Sequence, residues 1–147
     1  MATVTGFLGL CGSGKSTLAH QMSGVEVFDE SFFDKLPDLI AALRAGKDCA
    51  ITEIAFCQND KREWLQDLLK TEVPGTIVDW KPIEKDLDKA NQNCRRPERK
   101  ADKPDYNAEA HVRMNSIWLK RYEYPKGVPV LKMWPYADPG PVATRAT

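Results

Sequence analysis

Short apolar runs alternate along the chain with longer segments whose apolar residues recur at helical spacing. The apolar runs are residues 3–10, 25–28, 49–56, 76–80 and 128–134. They end at glycine, proline or charged residues, as buried parallel strands do. Helical spacing covers residues 15–24, 36–45, 61–69, 83–93 and 108–122. Because neighbouring parallel strands need a crossover, this alternation predicts a three-layer α/β fold: a five-stranded parallel sheet with helices on both faces.

Residues 9–16 read GLCGSGKS and satisfy the phosphate-binding pattern G-x-x-x-x-G-K-[S/T] between the first predicted strand and helix. Its glycines let the backbone curl until several N–H groups face one anion. Lys15 is expected to contact the β- and γ-phosphates, and the Ser16 hydroxyl to ligate Mg²⁺. The predicted loop contacts to ATP are Gly9, Cys11, Gly12, Ser13, Gly14, Lys15, Ser16 and Thr17. A chance glycine-rich turn would not require this strand and helix around it.

The composition of the chain is that of one ordinary globular domain. It has 147 residues, 42% hydrophobic and 29% charged, and we expect one domain over residues 1–136 and a tail over 137–147. No apolar stretch nears the roughly 18 residues that span a bilayer, and the first residues lack a signal-peptide pattern. We therefore expect a cytoplasmic protein without a membrane partner. The four cysteines form no C-x-x-C pair, which favours buried free thiols over a metal site.

A net charge of zero conceals two halves of opposite sign. Residues 1–79 carry 7 basic against 12 acidic side chains, and residues 80–147 carry 14 against 9. A basic second half can face polyphosphate or nucleic acid, and an acidic first half can supply carboxylates near a metal. Two solvated surfaces are the equally weighted alternative.

Residues 94–106 are rich in charge and proline, and they predict an irregular, arginine-rich lid. Arg95 and Arg99 are candidates to clamp the transferring phosphoryl group, because guanidinium groups match its oxygens. Arg96 is a candidate nucleotide contact, and Lys100 and Lys103 extend the basic run. For any single arginine, a solvated surface charge is the alternative.

The remaining motifs favour a kinase over other phosphate-loop proteins. A GTPase needs a guanine-reading N-K-x-D motif, which the chain lacks. Oligomeric ATPases carry an apolar strand that ends in aspartate, and the third predicted strand of this chain does not. The chain resembles the small P-loop kinases in its strand-loop-helix start. Residues 80–99, WKPIEKDLDKANQNCRRPER, look like the helix-and-arginine pattern of polynucleotide-kinase-like proteins, many of them from phages.

This resemblance implies a sheet of order 2-3-1-4-5, with ATP at the carboxyl ends of the strands under a lid. Asp29, after the second strand, would then face the γ-phosphate as general base, or else cap the next helix. Glu30 is either a second site carboxylate or an exposed one. Glu53 stands where an acid would orient Mg²⁺, or it pairs with a neighbour. Tyr136 falls where related kinases hold adenine, or it is a rim aromatic.

The phosphoryl acceptor is the least determined feature. Only residues 31–47 separate the second and third strands, too few for an inserted substrate-binding subdomain. The open site that results suits a nucleoside or nucleic-acid hydroxyl, for example hydroxymethyluracil in phage DNA. Phe32, Phe33 and Trp80 can stack on a base, although core packing is expected for at least two of them. The alternatives are a small-metabolite kinase of the shikimate or gluconate type and a nucleotide-binding regulatory module without transfer chemistry.

Overall fold

The computed structural model describes residues 1–132, which form a parallel sheet flanked by helices. The strands are β1 Thr3–Leu8, β2 Val25–Phe28, β3 Asp48–Ile51 and β4 Ile77–Pro82. The helices are α1 Lys15–Gln21, α2 Leu36–Arg44, α3 Asn59–Glu72, α4 Leu87–Cys94, α5 Pro97–Asp102 and α6 Ala108–Arg121. Short 3₁₀ helices occupy Phe32–Lys35 and Ile54–Cys57.

The sheet has four strands in the order β2-β3-β1-β4, all parallel. The predicted five-stranded sheet of order 2-3-1-4-5 is therefore wrong. Of predicted strand 128–134, the described part pairs only at Leu131, which forms an isolated parallel bridge with Ile83. Pro129 has no N–H to donate, and Val130 is 39% exposed, so little besides Leu131 is anchored next to β4.

Two apolar clusters cover the two faces of the sheet. Val4 and Leu8 belong to one cluster and Phe7 to the other, and alternate residues of a strand point to opposite faces. The first cluster contains the buried leucines of α2 and α3, and the second contains those of α1 together with Ala90 of α4. Both faces are thus buried, as the near-continuous apolar runs of the strands require.

Two further predicted elements differ from the structure. Strand three ends at Ile51, because the chain turns into the 3₁₀ helix Ile54–Cys57 instead of continuing to residue 56. The predicted irregular lid contains helix α5, which begins with Pro97 in its first turn, where a missing N–H costs nothing. The lid is therefore partly ordered by local sequence.

Two remaining predictions concern membrane-spanning helices and the last residues of the chain. No helix within residues 1–132 is long and apolar enough to cross a membrane. Tyr136 and the predicted tail 137–147 lie outside the described residues.

Candidate phosphate-binding site

The loop between β1 and α1 has the curled backbone that its sequence predicts. Gly12 and Gly14 have φ angles of 83° and 96°, a left-handed region that side chains with a Cβ rarely occupy. The Ser13 N–H donates to Leu10 O at 3.1 Å, which closes the turn. Lys15 Nζ reaches back across the loop and donates to Gly9 O at 2.6 Å and Leu10 O at 3.3 Å. The loop and its lysine thus form one compact cationic concavity.

The inner side of this loop is packed tightly against the core. A Cβ on Gly9 would lie 2.3 Å from Ser13 Oγ, so a side chain there would displace Ser13. Ser13 is 1% exposed, and its hydroxyl has no hydrogen-bond partner among the described residues. Below the loop, the hydroxyl of buried Tyr122 lies 2.7 Å from Ile83 O and 3.0 Å from Leu8 O, where β4 and β1 end. The carboxyl end of the sheet is therefore fixed from beneath.

The outer side of the loop is held by a buried amide from α6. Asn115 is fully buried; its Oδ1 accepts from Cys11 N at 2.7 Å, and its Nδ2 donates to Cys11 O at 2.9 Å. The same Nδ2 lies 3.1 Å from Asn91 Oδ1 on α4. This side chain satisfies both backbone groups of Cys11, as a paired strand would. Asn115 thereby fixes the loop to two helices.

Helix α4 completes this support at the next loop residue. Asn93 Nδ2 donates to Gly12 O at 2.9 Å, and the Cys94 thiol donates to Cys11 O at 3.2 Å. A Cβ on Gly12 would lie 2.4 Å from Ala90 O, so the helix backbone approaches the loop as closely as a glycine allows. Sequence reasoning missed this support, because a single Asn in a helical pattern carries no signal of a partner a hundred residues away.

A cavity of about 370 Å³ opens over the loop and gathers most of the predicted site residues. Loop residues 11–17 form its floor, and Asp29, Glu53 and Arg99 contribute to its walls. These groups come from the ends of β1, β2 and β3 and from α5. Thr52 and His111 also line the cavity and were not predicted.

The Asp29 carboxylate is oriented by a histidine from the helix that follows the loop. His20 Nε2 donates to Asp29 Oδ2 at 2.7 Å, and both side chains are partly exposed. The 3₁₀ helix Phe32–Lys35 has Ser31 as its N-cap residue, with no side-chain cap bond. Asp29 therefore does not cap that helix. Its carboxylate is left at the wall of the cavity.

The donor set of this cavity suits Mg²⁺ carried by a triphosphate. Ser16, Thr17, Glu53 and Asp29 offer hard oxygen ligands, the kind that Mg²⁺ prefers. Glu53 caps the 3₁₀ helix Ile54–Cys57, with Oε2 accepting from Ala55 N at 3.1 Å. Within residues 1–132, no group of three or more His, Cys, Asp or Glu side chains forms a metal site. Any ion here would depend on phosphate oxygens for most of its ligands.

The three lid arginines have different surroundings. Arg95 forms a two-point ion pair with Glu109 at 2.9 and 3.0 Å, and this bond raises the pKa of Arg95. Arg95 and Arg96 line a separate surface cleft and not the phosphate cavity. Arg99 lines the phosphate cavity, with its guanidinium 5.9 Å from the Tyr106 ring centre. Of the two arginines predicted to clamp the phosphoryl group, Arg99 lines the phosphate cavity and Arg95 does not.

The lid is also tied to the strand end on the opposite side of the site. Lys103 Nζ lies 2.6 Å from Glu30 Oε1, and this hydrogen bond raises the pKa of Lys103. Both side chains are exposed, so the pair contributes little stability. Its consequence is positional: the end of α5 lies beside residues 29–30.

The aromatic residues considered for base stacking divide between core and surface. Phe32 and Trp80 are 2% and 8% exposed and belong to the core, which confirms the expectation for two of the three. Phe33 is 48% exposed, and its ring centre lies 6.0 Å from that of Trp64, which is 41% exposed. Phe32 and Trp80 are thus core residues, whereas Phe33 stays at the surface.

The cysteines are free thiols, as their spacing predicts. Burial raises the pKa of Cys49 and of Cys57 to about 11, and it also raises the pKa of Cys94. Cys11, in the loop, is half-buried, and desolvation raises its pKa against the opposing charge of Lys15. A raised pKa favours the protonated thiol at neutral pH, and the thiol is a weaker nucleophile than the thiolate.

Comparison with known proteins adds no family to this description. Neither the models of known protein families nor the curated proteins match the chain. The function is therefore inferred from the chemistry of the site.

Proposed function

We propose that this protein is an ATP-dependent kinase of the small P-loop type, most like the phage polynucleotide-kinase-like proteins. It transfers the γ-phosphate to a hydroxyl of a nucleoside or nucleic acid in the cytoplasm, that of the host if a phage encodes it. The observation that carries this proposal is one cavity lined by Lys15 and Ser16 of the loop, Asp29 from the end of β2 and Arg99 from α5. A phosphate cradle, a carboxylate and a cation are the parts that phosphoryl transfer needs.

Each part has a separate role in the transfer. The loop N–H groups and Lys15 hold the β- and γ-phosphates, and Arg99 stabilises the charge that spreads over the transferring oxygens. Asp29, oriented by His20, accepts the proton of the attacking hydroxyl. Mg²⁺ bound with the triphosphate would neutralise part of its charge, with the Ser16 hydroxyl and Glu53 as protein partners.

The experiment that tests this proposal is transfer of labelled γ-phosphate from ATP and Mg²⁺ to a panel of acceptors. The panel contains plain DNA, hydroxymethyluracil-containing DNA, free nucleosides, and shikimate and gluconate as metabolites. We expect labelling of a nucleoside or nucleic acid that Lys15→Ala abolishes. Asp29→Asn should lower kcat by about 100-fold or more with nucleotide affinity unchanged, the usual contribution of a general base.

A matched control separates catalysis from a general loss of charge. Glu26 is an exposed carboxylate on β2, three residues before Asp29; it lies 3.8 Å from Lys47 and does not line the cavity. Glu26→Gln should leave transfer within twofold of the wild type. Labelling of a metabolite alone would favour the metabolite kinase, and ATP binding with no transfer to any acceptor would leave the regulatory module.

A further inference from the structure

A fully buried arginine lies on α3, next to the 3₁₀ helix Ile54–Cys57. Arg62 is among the largest side chains that the core encloses completely. Its Nη1 donates to Phe56 O at 2.8 Å, and its Nη2 has no hydrogen-bond partner among the described residues. Arginine is rarely enclosed in this way without a carboxylate partner, because moving a charge out of water is costly. Arg62 is therefore an energetically costly residue at this position.

No carboxylate within residues 1–132 forms an ion pair with this guanidinium. The carboxylates that attract it most strongly, those of Glu123 and Glu63, are exposed to water. Glu123 Oε1 instead accepts from Asn59 N at 3.1 Å. Burial lowers the pKa of Arg62, but a guanidinium stays charged at neutral pH. The core thus contains a positive charge that the described residues do not pair.

The charge of Arg62 lies near the start of the phosphate loop. Phe56, which accepts its hydrogen bond, precedes Cys57, and the Cys57 thiol donates to Gly9 O at 3.6 Å. Lys15 Nζ donates to the same carbonyl at 2.6 Å. Burial raises the pKa of Cys57 to about 11, and the charges of Lys15 and Arg62 oppose that rise. The Cys57 thiol is therefore close to two cations, one in the loop and one in the core.

We propose that Arg62 is an interior cation of the phosphate site and that it makes the site prefer a triphosphate to a diphosphate. This inference rests on the proposed function and adds a residue that determines the specificity of the same site. No residue of α3 lines the phosphate cavity. Arg62 therefore acts through space on the total charge that is bound over the loop, without contact to a phosphate.

The physical reason is that charges interact more strongly through protein than through water. The core around Arg62 has a low dielectric constant, so salt screens its field much less than that of a surface charge. The triphosphate of ATP carries more negative charge than the diphosphate of ADP, and this field attracts it more strongly. After transfer the γ-phosphate is gone, so the attraction falls and ADP is released more easily.

A purely structural role for Arg62 is the alternative. Its bond to Phe56 O holds the 3₁₀ helix Ile54–Cys57, whose cap residue Glu53 lines the phosphate cavity. An arginine that only anchors this helix would, when replaced, lower stability and weaken all phosphate ligands equally. An unpaired buried charge is different, because its removal leaves stability unchanged or raised, and the loss of affinity grows with the charge of the ligand.

The test is the affinity of the whole chain for three ligands of different charge, measured by calorimetry with Mg²⁺ present. The ligands are a non-hydrolysable ATP analogue, ADP and inorganic tripolyphosphate, which reports phosphate recognition without a base. Arg62→Gln removes the charge and keeps an N–H group for Phe56 O. We expect it to weaken binding of the ATP analogue and of tripolyphosphate by about tenfold, and binding of ADP by about threefold or less. Its urea midpoint should equal or exceed that of the wild type.

Two further variants separate the charge from the hydrogen bond and from net charge. Arg62→Met also removes the charge but cannot donate to Phe56 O, so it should change the ratio of ATP-analogue to ADP affinity by the same factor as Arg62→Gln. Lys61→Gln removes an exposed cation from the preceding position of α3. It should leave each affinity within about twofold of the wild type, because water and salt screen an exposed charge.

The outcomes distinguish this inference from the proposed function. The role of the charge would be overturned by an Arg62→Gln variant that keeps its affinity for the ATP analogue, that loses equal affinity for the analogue and ADP, or that fails to fold by circular dichroism. Equal effects of Lys61→Gln and Arg62→Gln would overturn it as well, since they would indicate a general effect of net charge. A wild-type chain that binds no ATP analogue would instead count against the kinase, and this inference would fall with it.

Discussion

Replacement of Asn115 by alanine should destabilise the phosphate loop, because it removes the side chain that binds both backbone groups of Cys11. The Asn115 amide satisfies both the N–H and the C=O of Cys11, at 2.7 and 2.9 Å, from a fully buried position. The variant removes both bonds and leaves the Cys11 N–H facing a methyl group. The loop would lose its attachment to α6 at the residue that precedes Gly12.

The cost follows from these contacts. Loss of the bond to the Cys11 C=O costs about 1 kcal/mol, and leaving the Cys11 N–H without a partner costs about 1–3 kcal/mol. We therefore expect a loss of about 2–4 kcal/mol in the free energy of unfolding. With a slope of about 2 kcal/mol per molar urea, the midpoint should fall by roughly 1–2 M. Nucleotide affinity should fall as well, because a loosened loop must be ordered on binding.

Urea unfolding followed by circular dichroism, together with titration of an ATP analogue, checks this expectation. Ser116→Ala is the matched control, since Ser116 is the next residue on α6, is exposed, and its hydroxyl lies 3.5 Å from Val112 O. It should change stability by less than about 0.5 kcal/mol. An Asn115→Ala variant as stable as Ser116→Ala, with unchanged nucleotide affinity, would refute the claim that this amide supports the loop.

Three further predictions concern the same region. Tyr122→Phe removes the hydroxyl between the carboxyl ends of β1 and β4, and it should lower the free energy of unfolding, measured by urea titration, by about 1–2 kcal/mol. An unchanged urea midpoint would mean that water replaces this hydrogen bond. Gly12→Ala should lower the free energy of unfolding by at least about 2 kcal/mol, and by more than Gly24→Ala does. Both glycines have positive φ, but of these two only Gly12 would bring its new methyl group against a neighbouring backbone, so equal losses would contradict that contact. Burial raises the pKa of Cys11 above its ordinary value, so the thiol should be mainly protonated at pH 8, and its alkylation by iodoacetamide, followed by mass spectrometry, should speed up continuously as the pH rises. A rate that levels off below pH 8 would show a lowered pKa instead.

Short apolar runs in the sequence predicted the places of the four strands that the sheet contains. The apolar run 25–28 coincides with β2, and the parallel pairing follows from the alternation of strands and helices. The prediction of a fifth strand was wrong because an apolar run does not by itself ensure hydrogen bonds to a neighbouring strand. Pro129 and the exposed side chain of Val130 leave Leu131 as the residue that pairs with the sheet edge.

Within the site, the predictability of a residue depended on how local its contacts are. Asp29 follows β2 directly, so its place at the carboxyl edge could be inferred from the strand pattern. The lid arginines differ by only a few positions, yet Arg95 pairs with Glu109 while Arg99 faces the cavity. That choice depends on how α5 and α6 pack, which residue types alone do not encode.

The phosphate loop is the part of this protein that its local sequence accounts for. Glycine spacing sets the backbone curl, and Lys15 is close enough along the chain to reach Gly9 O, so no distant partner is needed. The attachment of the loop through Asn115 and the direction of each lid arginine depend instead on contacts between residues far apart in the chain. Such contacts depend on how the helices pack against the sheet, and many side chains of the same type could have served as the partner.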